Sequence, residues 1–61
     1  MYTYTFPKDN FNSFMYHVIA LAIEIETLTL NGDAYTVVCA IPFDQEQYDH
    51  LHEAIQLTEI V

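Results

Sequence analysis

Three histidines, one cysteine and nine carboxylates are the side chains here that could do chemistry, set against a single lysine and no arginine. His50 and His52 form an HxH pair. On a helix they point about 200° apart, so one zinc ion could hold both only if the segment were a strand. Glu46 with His50 (i, i+4) and Asp49 with His52 (i, i+3) are better matched, and two ligands from one helix joined by His17 would make a three-ligand zinc site. The plainer account is an exposed His50 beside acids, with His17 or His52 at the edge of a core. No metal and no cofactor are therefore assigned.

Cys39 paired with a histidine would be a nucleophile and its base, because the thiolate needs a neighbouring imidazole to form at neutral pH. It stands instead in the apolar run Val37-Val38-Cys39-Ala40-Ile41, where a cysteine is a small hydrophobe. GxSxG, P-loop and HExxH patterns are missing, and one glycine cannot build a phosphate cradle. Asp49 and Glu53 lie one helical turn apart, yet an exposed helix face offers neither desolvation nor a cleft for acid–base work. The five tyrosines could stack on a planar ligand, but no basic residue accompanies them; most belong to a core, with Tyr16 or Tyr48 bringing a hydroxyl to the surface. The expectation is a chain that is not an enzyme.

The carboxylates remain. Asp44, Glu46, Asp49, Glu53 and Glu59 fall in the last third of the chain, none with Lys or Arg at i±3 or i±4, and Asp33 adds another at a hairpin tip. Acids successive along one helix lie about 5–6 Å apart, a spacing of the same scale as phosphates along a nucleic-acid strand. Such a face can compete for a basic groove and be steered to it. Solubility alone would account for the number of charges in a chain that is 52% apolar, but it does not require nearly all to have one sign.

Composition narrows the classes further. With 61 residues there is room for one domain, residues 1–61, and a net charge of −8 argues against direct contact with nucleic acid or an anionic membrane. The apolar share is too high for a disordered acidic tail. Met1 to Pro7 has neither the basic nor the apolar region of a signal peptide, and the longest apolar run, Val18 to Ile23, falls short of the roughly 20 residues that span a bilayer. A lone cysteine fits a reducing compartment, so the cytoplasm of a host cell is expected.

The elements that must position these residues are read from periodicity. Tyr2, Tyr4 and Phe6 alternate with threonines as a strand, ended by Pro7. Phe11, Phe14, Met15, Val18, Ile19 and Ala22 have helical spacing, capped by Asp9 or Asn10, which predicts a first helix to about Ala22. The alternation of residues 23–30 slips by one at Glu26 and Thr27, which predicts a β-bulge or a helix continuing to about Ile25. Asn31-Gly32 predicts a type I′ hairpin between Leu28–Leu30 and Tyr35–Ile41, the second strand being central and covered on both faces. Asp44 and Gln47 form a capping box, with Phe43 and Tyr48 as a staple, for a second helix that buries Tyr48, Leu51, Ala54 and Ile55. Leu57 to Val61 ends that helix or adds a short strand.

The result is an α+β fold, β-α-β-β-α, with a three-stranded sheet in the order 2-3-1 and both helices on one face. The other face carries Thr3, Thr5, Thr27, Thr29, Thr36 and Val38 and stays open unless a partner covers it. So small a core without a disulfide points to a homodimer, joined through that uncharged face. Function follows the acids: a non-catalytic binding protein that docks Asp44, Glu46, Asp49, Glu53, Glu59 and Asp33 on a basic, nucleic-acid-binding surface of another protein and blocks it. In size, charge and lack of motifs the chain is similar to the small acidic inhibitors that phages use against host nucleases and defence enzymes, a likeness in bulk properties that carries no residue over. The alternative is a small dimeric regulatory module, binding a ligand or metal, whose acids serve solubility.

Overall fold

Alternation in β1 (Tyr2–Pro7) sends Tyr4 and Phe6 to one side, where both are buried, and Thr3 and Thr5 to the other. The computed structural model describes residues 1–60. After a 3-10 turn at Lys8–Asn10 come α1 (Phe11–Ala20), β2 (Thr27–Asn31), β3 (Ala34–Cys39), α2 (Gln45–Ile55) and β4 (Thr58–Ile60). The class is α+β, with an antiparallel sheet ordered β2-β3-β1-β4. The expected order 2-3-1 is retained inside it, but the sheet has four strands, not three. The addition comes from Gln56, whose left-handed backbone (φ 63°) ends α2 and turns the chain back along β1. His52 Nδ1 donates to the Leu57 carbonyl at 2.7 Å and holds this reversal, while Leu57 itself is buried.

The core lies between the sheet and both helices: Tyr4, Phe6, Val37, Cys39, Phe14, Leu51, Ile55 and Leu57 are buried. Asn10 Nδ2 donates to the Ile55 carbonyl and the His17 ring packs on His50, so α1 and α2 run antiparallel. Ile19 lies about 100° round the helix from Val18 and is 77% exposed, not part of the buried stripe as its spacing suggested. Ala54 is exposed as well, while Leu51 and Ile55 fill the α2 side of the core.

Helix α1 stops at Ala20, two residues short of expectation. The Ile23 amide donates to the Val18 carbonyl and the Ala22 amide to Ile19, the paired bonds of a Schellman cap, with Ala22 at φ 53° where glycine is usual. Neither a bulge nor a longer helix absorbs the phase slip; it falls in the irregular segment between Leu21 and Glu26, after which β2 starts in the phase of Leu28 and Leu30. The hairpin register is also shifted. Asn31 pairs with Ala34, so the central turn residues are Gly32 and Asp33, and Gly32 alone has positive φ (62°), as in a type II′ turn. This sets Leu30 opposite Tyr35; the type I′ alternative would have set it opposite Asp33.

Among the described residues, nothing covers the far face of the sheet. β3 is interior to the sheet as expected, yet its outward residues Thr36 and Val38 are half-exposed. The register aligns four threonines across all four strands, Thr29, Thr36, Thr5 and Thr58, beside a second row of Thr27, Val38, Thr3 and Ile60. Among the described residues no helix is long and apolar enough to cross a membrane.

Two backbone positions give direct tests. Ala22→Gly relieves a left-handed alanine and should raise stability by about 1 kcal/mol. Gly32→Ala should lower it by about 1 kcal/mol, although no atom lies within 4 Å of the added methyl, whereas D-alanine at position 32 in a synthetic chain should be neutral. Urea denaturation of the three variants reads both effects.

Candidate functional site

Asp44 starts α2 as the capping box anticipates. Its carboxylate accepts the Gln47 amide at 2.8 Å, and the Gln47 side-chain oxygen accepts the Asp44 amide at 3.2 Å. Phe43 and Tyr48 both pack on the ring of Tyr4, at centroid distances of 4.5 and 6.1 Å, so the helix enters at an angle set by β1. With Leu51 and Ile55 inward, Glu46, Asp49 and Glu53 point outward within about 60° of one another around the axis. All three are exposed. Their i, i+3 and i, i+4 spacing gives a line of carboxylates about 5–6 Å apart.

The surroundings divide the six expected residues. Glu46, Asp49 and Glu53 form one stripe, with Asp49 accepting a hydrogen bond from Gln45 Nε2 at 2.8 Å. Asp44 adjoins the stripe, but its charge is engaged at the helix N-terminus, where backbone amides favour it. Glu59, on β4, is held beside α2 because its backbone amide donates to the Tyr48 hydroxyl at 3.3 Å. Asp33 lies elsewhere. It sits in the hairpin turn, 3.7 Å from Lys8 Nζ, and its neighbourhood is the start of α1, not α2. That ion pair is the only one among the described residues, so the sole lysine is spent away from the helix stripe.

The histidines flank the stripe on either side. His17 Nδ1 donates to the Ser13 carbonyl at 2.7 Å and its ring lies 5.0 Å from that of His50, while His52 stacks on Tyr48 at 5.8 Å. His50 and His52 are separated as the helix requires, and no group of three or more metal-ligating side chains forms among the described residues. Cys39 is buried, and desolvation, reinforced by the Glu26 charge, pushes its thiol pKa up. Such a thiol is a poor nucleophile. Tyr4, fully in the core, is likewise pushed up by burial, partly offset by the Phe43 amide donating to its hydroxyl.

Sequence spacing missed an apolar border to the acids. Leu21, exposed just after α1, lines an open groove with Asp44, Glu46, Gln47 and His50. The signal available was that Leu21 follows an inward face already filled by Phe11, Phe14, Met15 and Val18.

If Asp44 is a structural acid and the stripe is not, the two respond differently to neutralisation. Asp44→Ala should cost about 1 kcal/mol of folding stability through the lost cap. Glu46→Gln, Asp49→Asn and Glu53→Gln should each change it by less than about 0.5 kcal/mol, as read from urea midpoints. Comparison with protein-family models, characterised proteins and solved structures finds no match.

Proposed function

We propose that this chain is a non-catalytic binding protein that lays the outward face of α2 on a basic, nucleic-acid-binding surface of another protein and blocks it, as small phage-encoded inhibitors of host nucleases and defence enzymes do. The carrying observation is the exposed line Glu46, Asp49 and Glu53, flanked by Glu59, with the only ion pair among the described residues lying elsewhere. Helix stability does not account for the arrangement. Glu53 lies in the last turn, where the backbone carbonyls disfavour a negative charge by about 0.3–1 kcal/mol, and Asp49 and Glu53 repel at i, i+4. Solubility would be served equally by acids scattered over the surface.

In mechanism, the face acts by long-range steering and short-range pairing. A net charge of −8 attracts a cationic groove before contact. On contact, three carboxylates on a rigid helix meet Lys or Arg side chains that otherwise hold phosphates, and the bordering Leu21 adds apolar area at the rim. Asp44 and Glu59 flank this contact. Asp33, paired with Lys8, is left out of it.

The test is the triple variant E46Q/D49Q/E53Q against wild type, each immobilised and exposed to host lysate, with bound protein displaced by duplex DNA. Wild type should retain a basic nucleic-acid-binding protein that DNA displaces, and the variant should bind it about 10- to 100-fold more weakly. Retention of the same partner by the variant at about 300 mM salt would show that carboxylate pairing does not drive the docking.

A further inference from the structure

Among the described residues, no charged side chain lies on the face of the sheet opposite the helices. Every side chain that the register directs outward from β1, β2, β3 and β4 is Thr, Val, Ile, Ala, Asn or Pro. The nine carboxylates and the lysine lie in turns, loops, α2 or the helix side of the sheet. Glu59 is opposite Tyr4 in the register, and Glu26 directly precedes Thr27, which pairs with outward Val38, so alternation assigns both acids to the helix side. In a chain of −8, this neutral face, built from all four strands, lets a like-charged molecule approach closely; the exposed side of α1 is also uncharged but is a single helix.

We infer that this face binds the same face of a second copy of the chain, forming a two-fold dimer by sheet-on-sheet packing. A basic partner would find no carboxylate there to grip, whereas an identical sheet brings the same right-handed twist, so two copies stack in the aligned arrangement, about 30° apart. The threonine methyls of the row Thr29, Thr36, Thr5 and Thr58 supply area without charge, and Val38 and Ile60, the latter 46% exposed, supply the aliphatic centre and edge. Three of the threonine hydroxyls already have partners in the chain: Thr5 Oγ1 donates to the Tyr35 carbonyl and Thr36 Oγ1 accepts from Asn31 Nδ2, both at 3.0 Å, and Thr58 Oγ1 donates to the Gln56 carbonyl at 3.5 Å. Covering Thr5 and Thr58 strands no hydroxyl proton, and the Thr36 O–H, which only accepts within the chain, is free to donate to the facing copy.

Size sets the strength. Four strands about 4.8 Å apart and about five residues long give a plan area on the order of 300 Å² per copy. That is well below the roughly 800 Å² per partner of a standard interface, so the dimer is weak and concentration-dependent. Its salt response has the opposite sign to that of the α2 face. Screening removes repulsion between two anionic copies and strengthens the pair, while it weakens docking to a basic partner.

Sedimentation equilibrium between about 10 μM and 1 mM, at about 50 and 500 mM NaCl, reads this directly. The weight-average mass should climb from 7.1 kDa toward twice that value, with association at least about 3-fold tighter at high salt. Val38→Glu should abolish association, Thr36→Val should tighten it, and E46Q/D49Q/E53Q should leave it intact or strengthen it. Isotope-filtered NOEs in a mixed-labelled sample should connect Thr3, Thr36 and Val38 methyls between copies. A monomer at 1 mM in high salt overturns the inference. So does a Val38→Glu variant with a native circular dichroism spectrum that still associates, since the contact would then lie elsewhere, for instance along the β2 edge. Because the triple acid variant separates the two surfaces, loss of docking and loss of dimerisation are distinguishable.

Discussion

The two buried aromatic rings on one side of β1 tie both helices and β3 to it. Phe6 stacks on Phe14 of α1 at 4.4 Å and on Tyr35 of β3 at 5.5 Å, while Tyr4 takes Phe43 and Tyr48 from the entry to α2. The Tyr4 hydroxyl also accepts the Phe43 amide, which fixes where the second helix begins. A chain this short has surface enough for only one interior, and these rings commit it to the helix side of the sheet. Large aromatic areas buried at two adjacent inward positions are what make a core possible without disulfide or metal.

That commitment has a cost on the opposite side. Once every bulky ring is drawn to one face, the alternate positions of the same strands must form the other, and the sequence fills them with threonine and small aliphatics. Threonine suits a pleated, half-exposed surface because its branched carbon favours the extended backbone while its hydroxyl tolerates water. The charge required for solubility is then excluded from the outward face of the sheet and goes to the helix, the loops, the turn and, at Glu59, the helix side of β4. Segregation of neutral and acidic surface follows from the one-sided core, before any partner is considered.

The strand alternation of β1, the capping box at Asp44 and the inward stripe Leu51 and Ile55 were legible because each is a local pattern with one physical solution. The outward triad Glu46, Asp49 and Glu53 was legible for the same reason. What local pattern could not provide was competition between alternatives. Asn31-Gly32 has the composition of a type I′ turn, yet the chain uses Gly32-Asp33, and Leu30 pairs with Tyr35. Ala22 in a left-handed cap carries no composition signal, because glycine would be the expected residue there. Three residues of β4 are too few to show a period, and only the reversal at Gln56 reveals them. Asp33 looked like part of the acidic set until the fold brought Lys8, 25 positions earlier in sequence, to within 3.7 Å of it.

The geometry of the two surfaces also bears on how they could work together. The α2 stripe faces away from the sheet, and the neutral face lies on the sheet's far side, so occupying one leaves the other free. A pair joined sheet to sheet would carry its two acidic stripes on opposite outer sides, pointing apart. Such an arrangement cannot lay both stripes along one continuous groove. It suits either two separate target molecules or a target that is itself two-fold, and for the latter the second contact would gain from effective concentration only where the spacing of the basic sites matches the thickness of the pair. Because the dimer is small and salt-strengthened while docking is salt-weakened, ionic strength would shift the balance between a single anionic helix acting alone and a bivalent one.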